Sequence, residues 1–503
     1  MNSKIIRFIL GCVLKIEGIL LLLPSLVALI YREREGFVYL SVAVVAAVVG
    51  FLMTIKRPES NVFSLKEGCV ATALSWIFLS LVGAMPLWLT GEIPSFTNAL
   101  FESVSGFTTT GASILSDVEA LSHASLIWRS FTHWIGGMGV LVFILAIVPL
   151  SGASNMNLMK AESPGPSVGK LVPKVRSTAR ILYTIYFVLT IIEIVFLLFG
   201  RMSIFDAVNT SFATAGTGGF GFRNDSFGSF SYYNQWVVTI FMILFGVNFN
   251  AYYLILFKKI KKAFSLEEVR WYFIIIISAI AFLFVNILET SANALRALTD
   301  ASFQVASIIT TTGFSTTDFD QWSGACKTVL VLLMFIGACA GSTGGGIKVS
   351  RILIMFKSVV KEVHSYLHPN SVKKIKIEDK PVEHEVLRST NVYLITYICI
   401  FVVSCFFVSF DEHDLITNFT AVAATINNIG PGLELVGPIR NFSFFSPVSK
   451  FVLMFDMLAG RLELFPLLLF FHPGIWKELL VSSHKKKVRQ RELAKKLKSK
   501  VCK

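Results

Sequence analysis

The sequence predicts an all-α polytopic membrane protein, built as four pseudo-symmetric helix–loop–helix repeats preceded by two extra transmembrane helices. Three observations predict it. Hydrophobic residues make up 54% of the 503-residue chain and charged residues only 16%, where a soluble chain carries roughly 25% charge. Ten apolar segments follow one another with no polar linker that would divide the chain into soluble domains. Four short polar strips recur at intervals of about 100 residues, each after a short, mildly apolar stretch and each between two long apolar segments.

The segments lie near 5–30, 37–55, 68–90, 125–150, 181–200, 235–257, 271–289, 327–356, 390–410 and 447–471. A span takes about 20 apolar residues, so most qualify on length. The first contains Lys15 and Glu17, which are expected to sit in its inner third and reach toward the interface. It is too long and too interrupted for a signal peptide, and no small-residue cleavage site follows, so it reads as a retained helix. The resulting division is a two-helix extension over 1–66, repeats over 67–175, 176–266, 267–385 and 386–475, and a basic tail over 476–503.

Charge sets the expected orientation. Lys160, Lys170, Lys174, Arg176 and Arg180 lie between spans four and five. Lys258, Lys259, Lys261, Lys262 and Arg270 lie between spans six and seven, and Lys357, Lys361, Lys373, Lys374, Lys376, Lys380 and Arg388 between eight and nine. The loops that carry the strips hold only Arg201, Arg223, Arg296 and Arg440, with Arg129, Lys327 and Lys450 near helix mouths on that side. Basic loops face the cytoplasm, which turns the strips outward and leaves both termini inside. The net charge of +14 is then a topology signal plus one basic tail, suited to anionic lipid or a cytoplasmic subunit, and requires no nucleic acid. The seven cysteines are scattered, with no CxxC, so neither a structural disulfide nor a zinc site is expected.

The strips are Thr108-Thr109-Thr110-Gly111, Gly216-Thr217-Gly218-Gly219, Thr310-Thr311-Thr312-Gly313 and Asn427-Asn428-Ile429-Gly430. Before the first, Ser95 to Phe107 can form about three helical turns with Pro94 at the start, too short to cross at 1.5 Å per residue. Such a helix enters, turns back, and points its partially negative C-terminal end inward at a cation. Thr108 to Gly111 then return in an extended conformation. Polar, non-helical backbone at membrane depth is tolerated only inside protein or beside water, and rings of backbone carbonyls are what cation filters are made of. The expected architecture is therefore four helix–pore loop–helix repeats around a central ion pore. Its filter would be formed by Thr109, Thr110, Gly111, Thr217, Gly218, Gly219, Thr311, Thr312, Gly313, Asn428, Ile429 and Gly430.

With these strips, the unit order and the two leading spans, the chain resembles the Trk/Ktr/HKT superfamily of cation transporters, specifically its bacterial TrkH type. Further matching pieces are His133-Trp134-Ile135-Gly136-Gly137-Met138-Gly139, Gly341-Ser342-Thr343-Gly344-Gly345-Gly346-Ile347-Lys348 and Gly460-Arg461-Leu462-Glu463. The resemblance covers nearly the whole chain. It implies potassium (K+) uptake across the bacterial cytoplasmic membrane by a homodimer in which each subunit has its own pore. It also implies a cytoplasmic nucleotide-binding regulatory subunit of the TrkA type, and no cofactor beyond the transported ion. In plant relatives a serine at the first filter glycine accompanies sodium permeation; glycine at 111, 219, 313 and 430 favours potassium. Channel-like flux and symport both remain compatible with the residues.

Span eight is interrupted by Gly341 to Gly346, leaving halves of about 14 residues that cross nothing alone. A run this rich in glycine should unwind and line the cavity below the filter. Gly341, Ser342, Thr343, Gly344, Gly345, Gly346 and Lys348 are thus the expected gate, with Arg461 beneath the filter contacting the loop and repelling cations. Glu463, about 200° around the helix, is not expected to pair with Arg461 directly, whereas Asp456 is available. His133 reads as a packed or capping residue rather than a proton relay. The glycine run fails the GxxxxGK[ST] spacing for phosphate, and no HExxH, paired-carboxylate or serine-nucleophile pattern suggests an enzyme. The alternatives are a sodium/potassium transporter of the same superfamily and a secondary transporter of an organic solute. The latter would show paired broken helices about a midplane site rather than four equivalent strips.

Overall fold

The computed structural model describes residues 3–56, 58, 64–139, 175–370, 374–378, 380–462, 464–475 and 477. The end of the fourth segment beyond residue 139, Lys160, Lys170, Lys174, Lys373, Glu463, Cys502 and the basic tail lie outside them.

The two-helix extension is formed by α1 (Ser3–Leu20) with α2 (Leu22–Tyr31), and α3 (Glu35–Thr54). Glycines let α1 and α3 approach backbone to backbone. A β-carbon on Gly18 would lie 2.8 Å from Ala43 O, and one on Gly50 2.7 Å from Gly11 O. Small residues at such crossings replace the hydrophobic driving force that lipid cannot supply. This packing corrects the expectation for Glu17. It falls on the same stripe as Leu10, Val13, Leu14 and Leu21 and is fully buried rather than reaching the interface. Lys15 lies over the Phe51 ring at 5.2 Å.

Each repeat then has a first helix, a short helix, a polar strip and a second helix. The first helices are α4 (Leu65–Leu89), α7 (Val175–Phe199), α12 (Glu267–Ile287) and α16 (His384–Val408). Their outward faces stay apolar: α7 exposes Phe187, Ile191 and Phe196, and α12 exposes Ile274, Ile277 and Val285. Patches of that kind mark a bilayer rather than water as the neighbour. The short helices are α5 (Phe96–Phe107), α8 (Ile204–Gly216), α13 (Ala294–Ile309) and α17 (Leu415–Ile426). At 12 to 16 residues none can span a core about 30 Å thick.

The second helices are the irregular ones. Repeat 1 has α6 (His123–Gly137) and repeat 4 has α18 (Pro447–Leu462) followed by α19 (Leu464–Phe471). Serine side chains cap all four N-termini: Ser122, Ser231, Ser323 and Ser446 each accept from the backbone three residues on. Span six, expected to be continuous, is instead α9 (Tyr232–Phe245) and α10 (Phe249–Leu256), bent by 91°. The bend is held because the Asn248 side chain caps Asn250 N and Phe249 N donates to Gly341 O of another repeat. After α11 (Ile260–Phe264) the chain enters repeat 3. Span eight is broken as expected, but over 337–348 rather than 341–346, between α14 (Gly324–Ile336) and α15 (Val349–Leu367). Helix α14 stops early because Gly337 adopts φ +73°, and the halves are unequal, 13 and 19 residues.

Six described helices are long and apolar enough to cross a membrane, seven if the bent pair is one span. Among the described residues the rest of the regular structure is three short 3-10 turns, Phe319–Gln321, Ser409–Asp411 and Glu434–Val436, and an antiparallel pair of two-residue strands, β1 (Lys376–Ile377) and β2 (Lys380–Pro381), between α15 and α16. One packed core joins the extension to repeats 1 and 4, while repeats 2 and 3 centre on cores of their own.

Candidate functional site

The four strips begin where the short helices end, and they end them identically. The second residue of each strip donates its N–H three residues back: Thr109 to Gly106 O, Thr217 to Thr214 O, Thr311 to Ile308 O, Asn428 to Thr425 O. The third donates five residues back: Thr110 to Ser105 O, Gly218 to Ala213 O, Thr312 to Ser307 O, Ile429 to Ala424 O, all at 2.8–2.9 Å. This is the hydrogen-bond pattern of a helix closed by a left-handed residue. Thr109, Thr217, Thr311 and Asn428 indeed sit at φ +56°, +52°, +60° and +55°. Side-chain residues rarely adopt that region, and four equivalent exceptions in one molecule mark a built feature. The strips are therefore not simply extended, as the sequence suggested for Thr108 to Gly111: Thr108 is still helical, and handedness changes at the next residue.

Each strip closes on a glycine with positive φ, from +77° at Gly111 to +99° at Gly430. These glycines form a ring. A β-carbon on Gly111 would lie 2.1 Å from Gly218 O, on Gly219 1.9 Å from Thr312 O, on Gly313 2.0 Å from Ile429 O, and on Gly430 2.8 Å from Thr110 O. Each strip thus presses its glycine against the third-residue carbonyl of the next, in cyclic order, and only glycine fits. All four glycines line one mouth of about 180 Å³. The arrangement offers a ring of carbonyl oxygens, which suits a dehydrated cation.

Side chains brace the ring from outside. Thr108 Oγ1 donates to Val104 O and pairs with Thr110 Oγ1, and Thr310 and Thr312 repeat this. In the fourth strip Asn427 Nδ2 takes over the carbonyl of Ala423, while Asn428 Nδ2 crosses to Thr110 Oγ1 and Met457 O. His133 is fully buried. Its Nδ1 lies 2.8 Å from Gly106 O and its Nε2 accepts from Phe220 N, tying α5 to the residue after Gly219. That is the packed, capping role expected of it. The sequence reading missed the Arg129–Glu102 pair at 2.8 Å, fully enclosed, whose carboxylate accepts from Ile114 N while Arg129 Nη1 donates to Gly221 O. In repeat 3 the less enclosed pair Arg296–Asp300, both on α13, brackets Thr316, whose Oγ1 donates to Asp300 and whose carbonyl accepts from Arg296. Charges of both signs in otherwise apolar segments were the available signal, since such charges need partners.

Below the ring lies the 337–348 loop. Gly345 N donates to Thr311 Oγ1 at 2.6 Å, so loop and strip touch directly. A β-carbon on Gly345 would lie 2.5 Å from Asn427 O, and one on Gly344 2.9 Å from Thr310 O. Gly341 is exposed and Ser342 half-buried, whereas Thr343, Gly344, Gly345, Gly346 and Lys348 are buried. Lys348 Nζ donates to Gly344 O and its backbone stands at φ +82°. Arg461 reaches the loop as expected: Nη1 donates to Thr343 O at 2.7 Å, and Nη2 to Gly136 O and Gly137 O of repeat 1. Asp456 instead accepts from Ser404 Oγ.

Known proteins share this plan. Residues 36–477 match the family model TrkH, described as cation transport protein. The Trk system potassium uptake protein TrkH of Salmonella typhimurium is 37% identical over 489 residues, covering 95% of this chain and all of that protein. Its Escherichia coli K12 counterpart is 36% identical over the same extent. The crystal structure of the potassium transporter TrkH from Vibrio parahaemolyticus superposes with a TM-score of 0.85 at 32% identity, covering 95% of this chain and all of that one. With the matches running from end to end, the chain belongs to the TrkH family of cation transport proteins.

Proposed function

We propose that this chain takes up potassium across the bacterial cytoplasmic membrane through the four-strip ring, gated by the 337–348 loop and Arg461. The observation that carries the reading is the cyclic fit of each strip glycine against the next strip's carbonyl, Gly111 to Gly218, Gly219 to Thr312, Gly313 to Ile429 and Gly430 to Thr110. Such a ring holds its oxygens at a fixed spacing, which is what discrimination between ions of one charge requires. In this reading Thr110 and Thr312 belong to the ring and Thr109, Thr217, Thr311 and Asn428 supply the remaining filter backbone. The strips face outward and the basic turns from Lys258 and Lys357 onward face the cytoplasm, as the charge bias favours. A homodimer, with a nucleotide-binding TrkA-type subunit docked on the basic face, completes the unit; the relatives carry Trk system names.

The test is rubidium and sodium flux into liposomes holding the purified protein. Gly111→Ser forces a β-carbon into the space of Gly218 O at a positive φ. The rubidium-to-sodium flux ratio is expected to fall by about tenfold, a change of about 1.4 kcal/mol. An unchanged ratio in well-assembled protein removes the strips from the filter role. Reversal potentials with and without a pH gradient separate channel-like flux from proton symport.

A further inference from the structure

Arg461 and Thr311 hold the second half of the 337–348 loop. The first half is held elsewhere. Cys339 N donates to Gly246 O and Gly341 O accepts from Phe249 N, and at the midpoint Thr343, whose carbonyl Arg461 holds, donates its N and Oγ1 to Phe245 O, so the bend between α9 and α10 is stitched along it. At the neck stands one carboxylate. Glu268, in the first turn of α12, is nearly buried, and its Oε1 accepts from both Ala340 N at 2.6 Å and Ser350 N at 3.1 Å. Residues on the two sides of the loop thus meet at a single oxygen. The other oxygen, Oε2, accepts from Asn248 Nδ2 at 3.2 Å.

We infer that Glu268 is a positioning residue that clasps the neck of the intramembrane loop and couples it to the basic turn joining repeats 2 and 3. The inference rests on the gate reading above and adds a second, independent catch to it. The geometry gives it a direction. Helix α12 begins directly after the turn that carries Lys258, Lys259, Lys261 and Lys262, and Asn248 opens α10, which leads into that turn. The neighbouring Glu267 pairs with Lys357 of α15. Two adjacent carboxylates therefore bind the helix leaving the loop and the loop's own neck. A load applied to the turn or to α15 reaches the plug through the hydrogen bonds that the Glu268 carboxyl oxygens accept, without passing through Arg461.

The clasp depends on acceptor oxygens, not on bulk, and that distinction can be measured. Glu268→Leu keeps the volume and removes both acceptors; Glu268→Gln keeps one. In liposomes, without any partner subunit, Glu268→Leu is expected to raise basal rubidium flux about tenfold, from loss of the three hydrogen bonds its carboxyl accepts. Glu268→Gln is expected to raise it less, and both to keep the rubidium-to-sodium ratio. The decisive arm places Glu268→Leu in a protein lacking Gly344 to Gly346. If Glu268 acts through the loop, the substitution adds nothing there; an equal rise in both backgrounds, or parent-level flux from Glu268→Leu alone, overturns the clasp. Asn248→Asp serves if the leucine variant does not assemble. It keeps the oxygen that caps Asn250 N but sets two carboxylates face to face, so flux rises if the clasp is real and stays at the parent level if it is not. Loop deletion that leaves flux unchanged would instead remove the gate reading itself, an outcome distinct from failure of the clasp alone.

Discussion

Arg461 donates to three backbone carbonyls, one in the 337–348 loop of repeat 3 and two at the end of α6 in repeat 1, and these hydrogen bonds fix a full positive charge below the strip ring. A cation passing at about 4 Å meets a repulsion of about 4 kcal/mol at an effective dielectric near 20. The same contacts pin the loop, since the planar fork of the guanidinium reaches carbonyls on two separate elements at once. In the proposed gate reading both effects oppose flux. Arg461→Gln is expected to raise rubidium flux at least tenfold per assembled protein without altering the rubidium-to-sodium ratio. Flux at the parent level from monodisperse protein would assign Arg461 to packing alone. Arg461 was legible in the sequence because a charge deep in an apolar span must face a cavity or a partner. Its partners were not legible. They are carbonyls, which every residue owns, and they lie 118 to 325 positions away. Glu268 was hidden for a related reason. An acidic residue in a helix's first turn is expected on dipole grounds anyway, so nothing in the sequence marks it as bound to a loop more than 70 residues on.

Broken second helices show how far element boundaries follow local sequence. The glycine run announced the break in span eight, yet α14 stops at Ile336, before that run, because Gly337 turns to φ +73° and a β-carbon there would meet Gly345 O at 2.7 Å. In span six a lone Gly246 and Asn248 gave little warning. The 91° bend follows from Phe245 O, Gly246 O and Phe249 N being taken by the loop of repeat 3, a tertiary cause that periodicity cannot carry. The loop's glycines are close-packed rather than loose. Replacing Gly344, Gly345 and Gly346 with alanine would set β-carbons 2.5 Å from Ala338 Cβ, 2.5 Å from Asn427 O and 2.8 Å from Gly337 Cα, the last at a positive φ. The triple alanine variant is expected to lift the loop off the strips, raising open probability in single-channel records while the reversal potential in mixed potassium and sodium stays near the parent value. Selectivity lost at normal conductance would place this segment in the filter instead.

Across the whole molecule, repetition made the plan readable: four strips, each flanked by apolar segments, demanded four equivalent environments, and the backbone supplies them with matching hydrogen bonds and matching left-handed residues. Assembly is the level at which a single copy leaves something undone. Helix α15 starts from the loop inside the membrane and runs 19 residues, about 28 Å at 1.5 Å per residue. With the loop at mid-depth, as the proposed gate reading has it, half the hydrocarbon core is about 15 Å thick, so the second half of α15 would project past the bilayer. There it presents Val359, Val360, Val363, Tyr366 and Leu367, all exposed, at the spacing of one helical face. Apolar side chains lined up beyond the lipid call for a protein cover, and the opposite flank, with Lys357 bound to Glu267, is already committed to its own subunit. A second copy brings the same face, so a two-fold pairing of α15 with its equivalent is self-complementary. The variant Val359→Asp with Val363→Asp places two carboxylates on that face and two more on its partner. On the homodimer reading proposed above, it is expected to run as a monomer by light scattering in mild detergent where the parent is expected to run as a dimer, and to keep rubidium flux if each chain encloses its own pore. A variant that stays dimeric would move the interface off α15, and a monomeric one without flux would show that the pore itself depends on the partner.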